Sequence, residues 1–215
     1  MTKTARFLYW FFSAVVVVLA FRWVPFGVDW TIPNMSYHME GRKWLLYTHM
    51  VASAVPMAFV PFQISNKFRA KFPRLHINMG RAAIAGVFLG GFSLFALVPH
   101  MDIPIWGRAG FFISGLLWVT TGGIGLFFIL KRNIRLHRWW MMITATIIFG
   151  AVTQRLALPI WIGFGFPFKE AYSLSAWSAW SVNLTLFFAW QYRRKWLGAL
   201  GFGSKPRSRA GSSSR

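Results

Sequence analysis

Histidine carries most of the chemistry open to this chain, which has five histidines, no cysteine and only four acidic residues. Without cysteine there is no thiolate nucleophile, no disulfide, and no cysteine-ligated metal or iron–sulfur centre. With acids this scarce, no paired-carboxylate or Ser–His–Asp constellation can be assembled, and hydrolytic chemistry has no basis. What remains is imidazole chemistry: ligation of a metal or haem iron, or the handling of protons and anions.

Two histidines repeat one local setting. Residues 74–76 read "RLH", and residues 135–137 read "RLH" again. Each copy stands where a basic loop runs into a long apolar segment. Neutral imidazoles from two helices can hold haem iron axially, so His76 and His137 are the candidate metal ligands and a b-type haem the candidate cofactor. Arg74, Arg81, Arg135 and Arg138 lie close by in sequence and suit haem propionates, because guanidinium grips a carboxylate through two parallel N–H bonds. Gly80, Gly86, Gly90 and Gly91 would leave room for the ring, or for a neighbouring helix. The plainer reading makes both histidines interfacial caps that touch water and lipid phosphate.

His49 and Arg155 form a second candidate set, each inside an apolar segment and about 7–8 Å from its middle at 1.5 Å per residue. An ionisable group at that depth costs about 2–3 kcal/mol on insertion scales unless it faces protein or water. Both are therefore expected to point into the bundle, with Gln154 beside Arg155. The plainer alternative has His49 bonded to a backbone carbonyl or to Ser53, and Arg155 satisfied by Asp102 or Asp29. His100 would close the third segment near Asp102 and Arg108. His38 and Glu40 have a generic spacing in a loop expected to be exposed, and are not favoured as ligands. The glycines of "TTGGIG" at 120–125 read as helix-packing contacts, since no phosphate-binding strand or lysine accompanies them. No catalytic residue is assigned, and whether the chain is an enzyme stays open.

The elements that must position these residues are membrane helices. The 215 residues are 56% hydrophobic, 19% aromatic and 13% charged, too apolar for an ordinary soluble domain. Apolar runs of roughly 20 residues, each able to cross about 30 Å of hydrocarbon, fall near 7–26, 44–64, 77–99, 109–130, 139–161 and 173–191. The expected fold is all-α, a polytopic bundle of about six transmembrane helices. Residues 1–196 would form a single transmembrane domain and residues 197–215 a disordered basic tail. The first run lacks a small-residue cleavage site and is retained as an anchor. Pro56 should kink the second helix.

The net charge of +20 would suit nucleic acid, but its distribution does not. Cations fill the second loop, the fourth loop and both ends of the chain. All four acids, Asp29, Glu40, Asp102 and Glu170, fall on the other side of a six-span arrangement. The charge is thus a topology signal, placing both termini in the cytoplasm of a bacterial inner membrane with the basic face against anionic lipid. Trp23, Trp30, Trp44, Trp106 and Trp161 near one boundary, and Trp10, Trp139, Trp140, Trp190 and Trp196 near the other, match aromatic belts. The loops 65–76 and 131–137 join two hairpins of the same orientation, which suggests parallel repeats with His76 and His137 in equivalent places.

From about Leu45 to Ile160 the chain resembles a family of predicted bacterial membrane proteins known as domain of unknown function 2306. The resemblance rests on His49 in an apolar helix, "VPFQ" at 60–63, "LHINMGR" at 75–81, "HRWWM" at 137–141 and the pair Arg155–Leu156. Ile77 stands where the family pattern has an arginine. The family brings no established activity; its histidines on successive helices are similar in style to those of di-haem transmembrane cytochromes b, with one outer ligand missing here. Three functions follow from these readings. The first is a haem-binding or redox protein that uses His76 and His137, with His49 and Arg155 as an outer polar or quinone-contacting site. The second is a non-catalytic accessory or assembly subunit of a larger membrane complex. The third is a small-anion carrier.

Overall fold

The computed structural model describes residues 3–31 and 33–199, and every regular element among them is helical. In chain order these are α1 (Lys3–Phe21), α2 (Trp23–Phe26), α3 (Val28–Thr31), a 3₁₀ turn (Pro33–His38), α4 (Met39–Gln63) and α5 (Asn66–Lys71). There follow α6 (Pro73–Leu97), a second 3₁₀ turn (Val98–His100), α7 (Ile105–Leu130), α8 (Ile134–Ile148), α9 (Gly150–Gly163) and α10 (Phe168–Ala199). Helix α10 runs past residue 196, the boundary the composition suggests; the rest of the basic tail, 200–215, lies outside the described residues.

Five stretches are long and apolar enough to cross a membrane: Phe7–Phe26, Met35–Gln63, Pro73–His100, Ile105–Leu130 and Ile134–Gly163. The sixth helix, α10, is long at 32 residues but less apolar. Its serines explain the difference. Ser173, Ser178 and Ser181 return their hydroxyls to the carbonyls of Lys169, Leu174 and Trp177 four residues earlier, at 2.6–2.8 Å. A serine bonded in this way lowers the hydropathy of a helix while presenting no unsatisfied group to its neighbours. Ser173 and Ser175 are wholly buried. Ser173 packs so closely on Gly107 of α7 that no side chain fits there.

The bundle is inside-out by the standards of a water-soluble protein. Phe7, Val18, Leu89, Phe92, Phe127 and Leu186 lie exposed on its flanks, while small and polar residues sit at helix contacts. Without a hydrophobic drive between helices in lipid, close packing of small residues holds them together. Helix α4 runs along α6, α7 along α8 and α9 along α10, with α1 against α4 and α10 also against α7. Val16, Met57, Val60, Val87, Trp118, Ile143 and Phe187 meet at the centre.

Two breaks differ from the sequence reading. Within α4 the dihedrals stay helical through Pro56 and fail instead at Glu40 and Gly41, where Gly41 takes φ 77°, a left-handed value natural to glycine. The Pro56 ring is fully buried and is received by Gly86: a Cβ there would lie 2.7 Å from Pro56 Cδ. The fifth apolar run is divided in two at Phe149, whose carbonyl accepts from both Val152 and Thr153. Gly150 follows at once and lets α9 approach α10, since a Cβ on it would lie 2.8 Å from the Ala179 carbonyl oxygen.

Candidate functional site

The two Arg-Leu-His copies occupy the same helical register. Pro73 opens α6 and Ile134 opens α8, so Arg, Leu and His are the second, third and fourth residues of both helices. The His76 N–H donates to the Phe72 carbonyl and the His137 N–H to the Asn133 carbonyl, each at 2.9 Å, closing the first intrahelical bond. The starts are fixed locally. Pro73 is preset for a first turn. Asn133 caps α8, its Oδ1 accepting from the Leu136 N–H at 3.1 Å. Gln63, at the end of α4, donates its side-chain N–H to the His76 carbonyl at 3.0 Å and ties the two helix ends together.

Both imidazoles are half-buried and close enough to act on each other electrostatically, with Arg69 also facing His76. They differ in their partners. His137 Nδ1 lies 2.8 Å from the Gly125 carbonyl oxygen on α7; as the N–H donor it leaves Nε2 free to ligate. His76 Nδ1 is buried with no partner. Arg74, Arg81, Arg135 and Arg138 are exposed at this end. No group of three or more metal-ligating side chains occurs among the described residues.

Three of the four glycines expected to make room for a ring lie in close helix contacts. A Cβ on Gly86 would lie 2.6 Å from the Ala52 carbonyl oxygen, and one on Gly90 2.8 Å from Ser53 Oγ. One on Gly91 would run into Val119. These residues serve the contacts of α6 with α4 and α7.

Deeper in the bundle, His49 Nδ1 lies 2.9 Å from the Gly90 carbonyl oxygen, so the backbone and not Ser53 anchors the ring. Gly90 permits this by bringing α6 close to α4. Arg155 is within electrostatic reach of His49, as the sequence depths suggest. It does not point into a closed interior, however. Its side chain is accessible on α9, donating from Nη1 to the Ala151 carbonyl at 2.9 Å, and it faces Tyr172 and Arg22. Neither acid offered as its partner forms an ion pair with it among the described residues; Asp102 takes Lys169 instead, at 2.8 Å. Tyr172 adds a phenol that faces the Gln154 side chain, a neighbour the sequence did not single out.

His38 is the largest departure. The loop reading makes it exposed, but it is completely buried, in ring contact with Tyr37 at 4.3 Å. The sequence signal was Gly41, which turns the chain into α4 and folds the segment before it inward. His100 ends the 3₁₀ turn, as its position predicts, and Arg108 steadies that corner by donating to the carbonyls of Pro99 and Ile103.

These features define a multi-pass helical membrane protein with polar residues gathered at both ends of the bundle and beside its middle. A family model described as "Predicted membrane protein (DUF2306)" matches residues 46–190, and the chain belongs to that family. No curated protein and no solved structure matches it.

Proposed function

We propose that this chain is a redox-active membrane protein that binds a b-type haem through His76 and His137. One observation carries the reading: the repeated tripeptide enters α6 and α8 in the same register and brings two imidazoles within electrostatic reach at one end of the bundle. The partners of the rings support it. A ligating histidine commonly donates its other N–H to a backbone carbonyl, as His137 does to Gly125, which fixes the ring and raises its basicity. The buried, unpartnered nitrogen of His76 marks a ring whose environment lacks one group. The donor chemistry fits haem, whereas the α6 glycines do not supply its space. Haem when bound supplies one-electron chemistry. The chain would orient the two rings, exclude water with α7, and offer Arg81 and Arg138 to the propionates.

In the same reading α10 is a sixth crossing, both termini lie in the cytoplasm of a bacterial inner membrane, and the basic end rests on anionic lipid. His49, Arg155, Gln154 and Tyr172 would form the outer polar site that receives a quinone or other redox ligand. Absorption spectra of protein purified from haem-replete cells, oxidised and then reduced with dithionite, test the proposal. A low-spin b-type spectrum lost in both His76→Ala and His137→Ala supports it; a colourless protein from such cells overturns it. The second reading, a non-catalytic subunit of a larger membrane complex, is favoured by the bonds that tie one ring nitrogen of His49 and one of His137 to backbone carbonyls of neighbouring helices, the pattern of polar glue between helices. A stoichiometric partner that co-purifies with the colourless protein would support it.

A further inference from the structure

The end opposite the basic loops holds buried hydrogen-bond donors that have no acceptor. His38 is wholly buried, and neither ring nitrogen has a partner. Arg42 Nε is likewise buried and unpartnered. His38 lies within electrostatic reach of Arg42 and of His100. Tyr37, in ring contact with His38, accepts the Asp102 backbone N–H on its hydroxyl oxygen at 3.3 Å, so its own O–H remains a donor; Arg42 and Arg108 face it. Trp23 contributes a further buried N–H without an acceptor at this end.

Guanidinium and indole only donate, and the shortfall here is of acceptors. Native proteins leave few such groups unmatched, and a cluster of them points to a missing acceptor. Nearby acids do not meet the need. Asp102 is exposed and paired with Lys169, and Glu40 is exposed. The backbone breaks at Glu40 and Gly41, immediately before Arg42.

We propose that His38 and Arg42, with Tyr37 and His100, bind a phosphate-type oxyanion at this end of the bundle, supplied by a lipid headgroup or as free phosphate. The site is separate from the imidazole pair at the basic end, and either can fail without the other.

The test is thermal unfolding of the full chain in neutral detergent, in inorganic phosphate and in chloride at matched ionic strength. Nanodiscs of phosphatidylcholine with and without phosphatidate supply the second arm. Stabilisation by inorganic phosphate identifies the free anion; stabilisation by phosphatidate alone identifies the headgroup. Either response should weaken about tenfold in Arg42→Gln, the loss expected for one charge-assisted hydrogen bond. His100→Gln, at an exposed turn, should weaken it less and serves where Arg42→Gln does not fold. A wild-type protein indifferent to both phosphates, or a response unchanged in these variants, overturns the proposal and leaves water as the occupant.

Discussion

The contact of α6 with α4 at Gly86 offers a sharp test of how this bundle is held. Gly86→Ala adds one methyl group to α6. Placed on the existing backbone, that methyl would lie 2.6 Å from the Ala52 carbonyl oxygen and 2.7 Å from Pro56 Cδ. Neither atom belongs to a flexible side chain tip; one is backbone and the other part of a buried ring in α4. Relief therefore needs the two helices to separate or slide. Overpacking of this kind costs about 1–3 kcal/mol. Against it stands the intrinsic preference of a helix for alanine over glycine, about 1 kcal/mol. The control is Gly123→Ala in α7, where the nearest atom would be Phe88 Cζ at an ordinary 3.7 Å. There the propensity gain acts alone and the variant should be as stable as the parent or slightly more so. The difference between the variants should thus be about 1–3 kcal/mol in favour of Gly123→Ala. Unfolding in mixed micelles with increasing dodecyl sulfate, followed by circular dichroism, measures it. Equal stability of the two would refute the claim that contact between α4 and α6 depends on Gly86.

Three further outcomes follow from named bonds. Thr153→Val removes the 2.8 Å bond from Thr153 to Asn183 that joins α9 to α10, and should cost about 0.6–1.7 kcal/mol in the same unfolding assay. His49→Ala removes both the anchor to Gly90 and the ring that fills the space between α4 and α6; a loss of about 2–4 kcal/mol is expected, and a neutral result would mean that the ring contributes nothing to packing. Asp102→Asn breaks an ion pair exposed at both partners, so stability should change by less than about 1 kcal/mol, and any change should shrink as salt is added.

The spans were legible because length and hydropathy are nearly sufficient to define a membrane helix. The first run coincides with a span, and the second to fifth begin four to nine residues after the start of theirs while ending within two residues of its end. Three kinds of feature escaped. The turn at Phe149 carries no proline and follows from tertiary fit, with Gly150 pressed against α10. The inward fold of His38 depends on a backbone angle at Gly41, and composition describes only a polar loop there. The accessibility of Arg155 could not be read from depth, because depth says how far along a span a residue lies and not which side of its helix it occupies. The register of the two tripeptides was legible in outline: a basic loop, a helix start and a histidine at a fixed distance. What put both copies at the same position in their helices was a different start signal in each, proline for α6 and an asparagine cap for α8.

Partnership separates the polar residues that build this molecule from those that point beyond it. Thr121, Thr144 and Thr146 return their hydroxyls to carbonyls three or four residues earlier, and Thr144 also donates to Thr121 across the helix pair. His49 and His137 are tied to glycine carbonyls on neighbouring helices. Such bonds are accounted for by the fold alone. Among the imidazole and guanidinium groups of the described residues, buried nitrogens without a partner occur at His76 on the basic end and at His38 and Arg42 on the other. A bare nitrogen of this kind costs about 1–3 kcal/mol or more. A helical bundle with apolar flanks has no packing reason to bear that cost. The two ends are therefore where a ligand changes the energy of the protein most, and where substitutions should alter binding before they alter the fold.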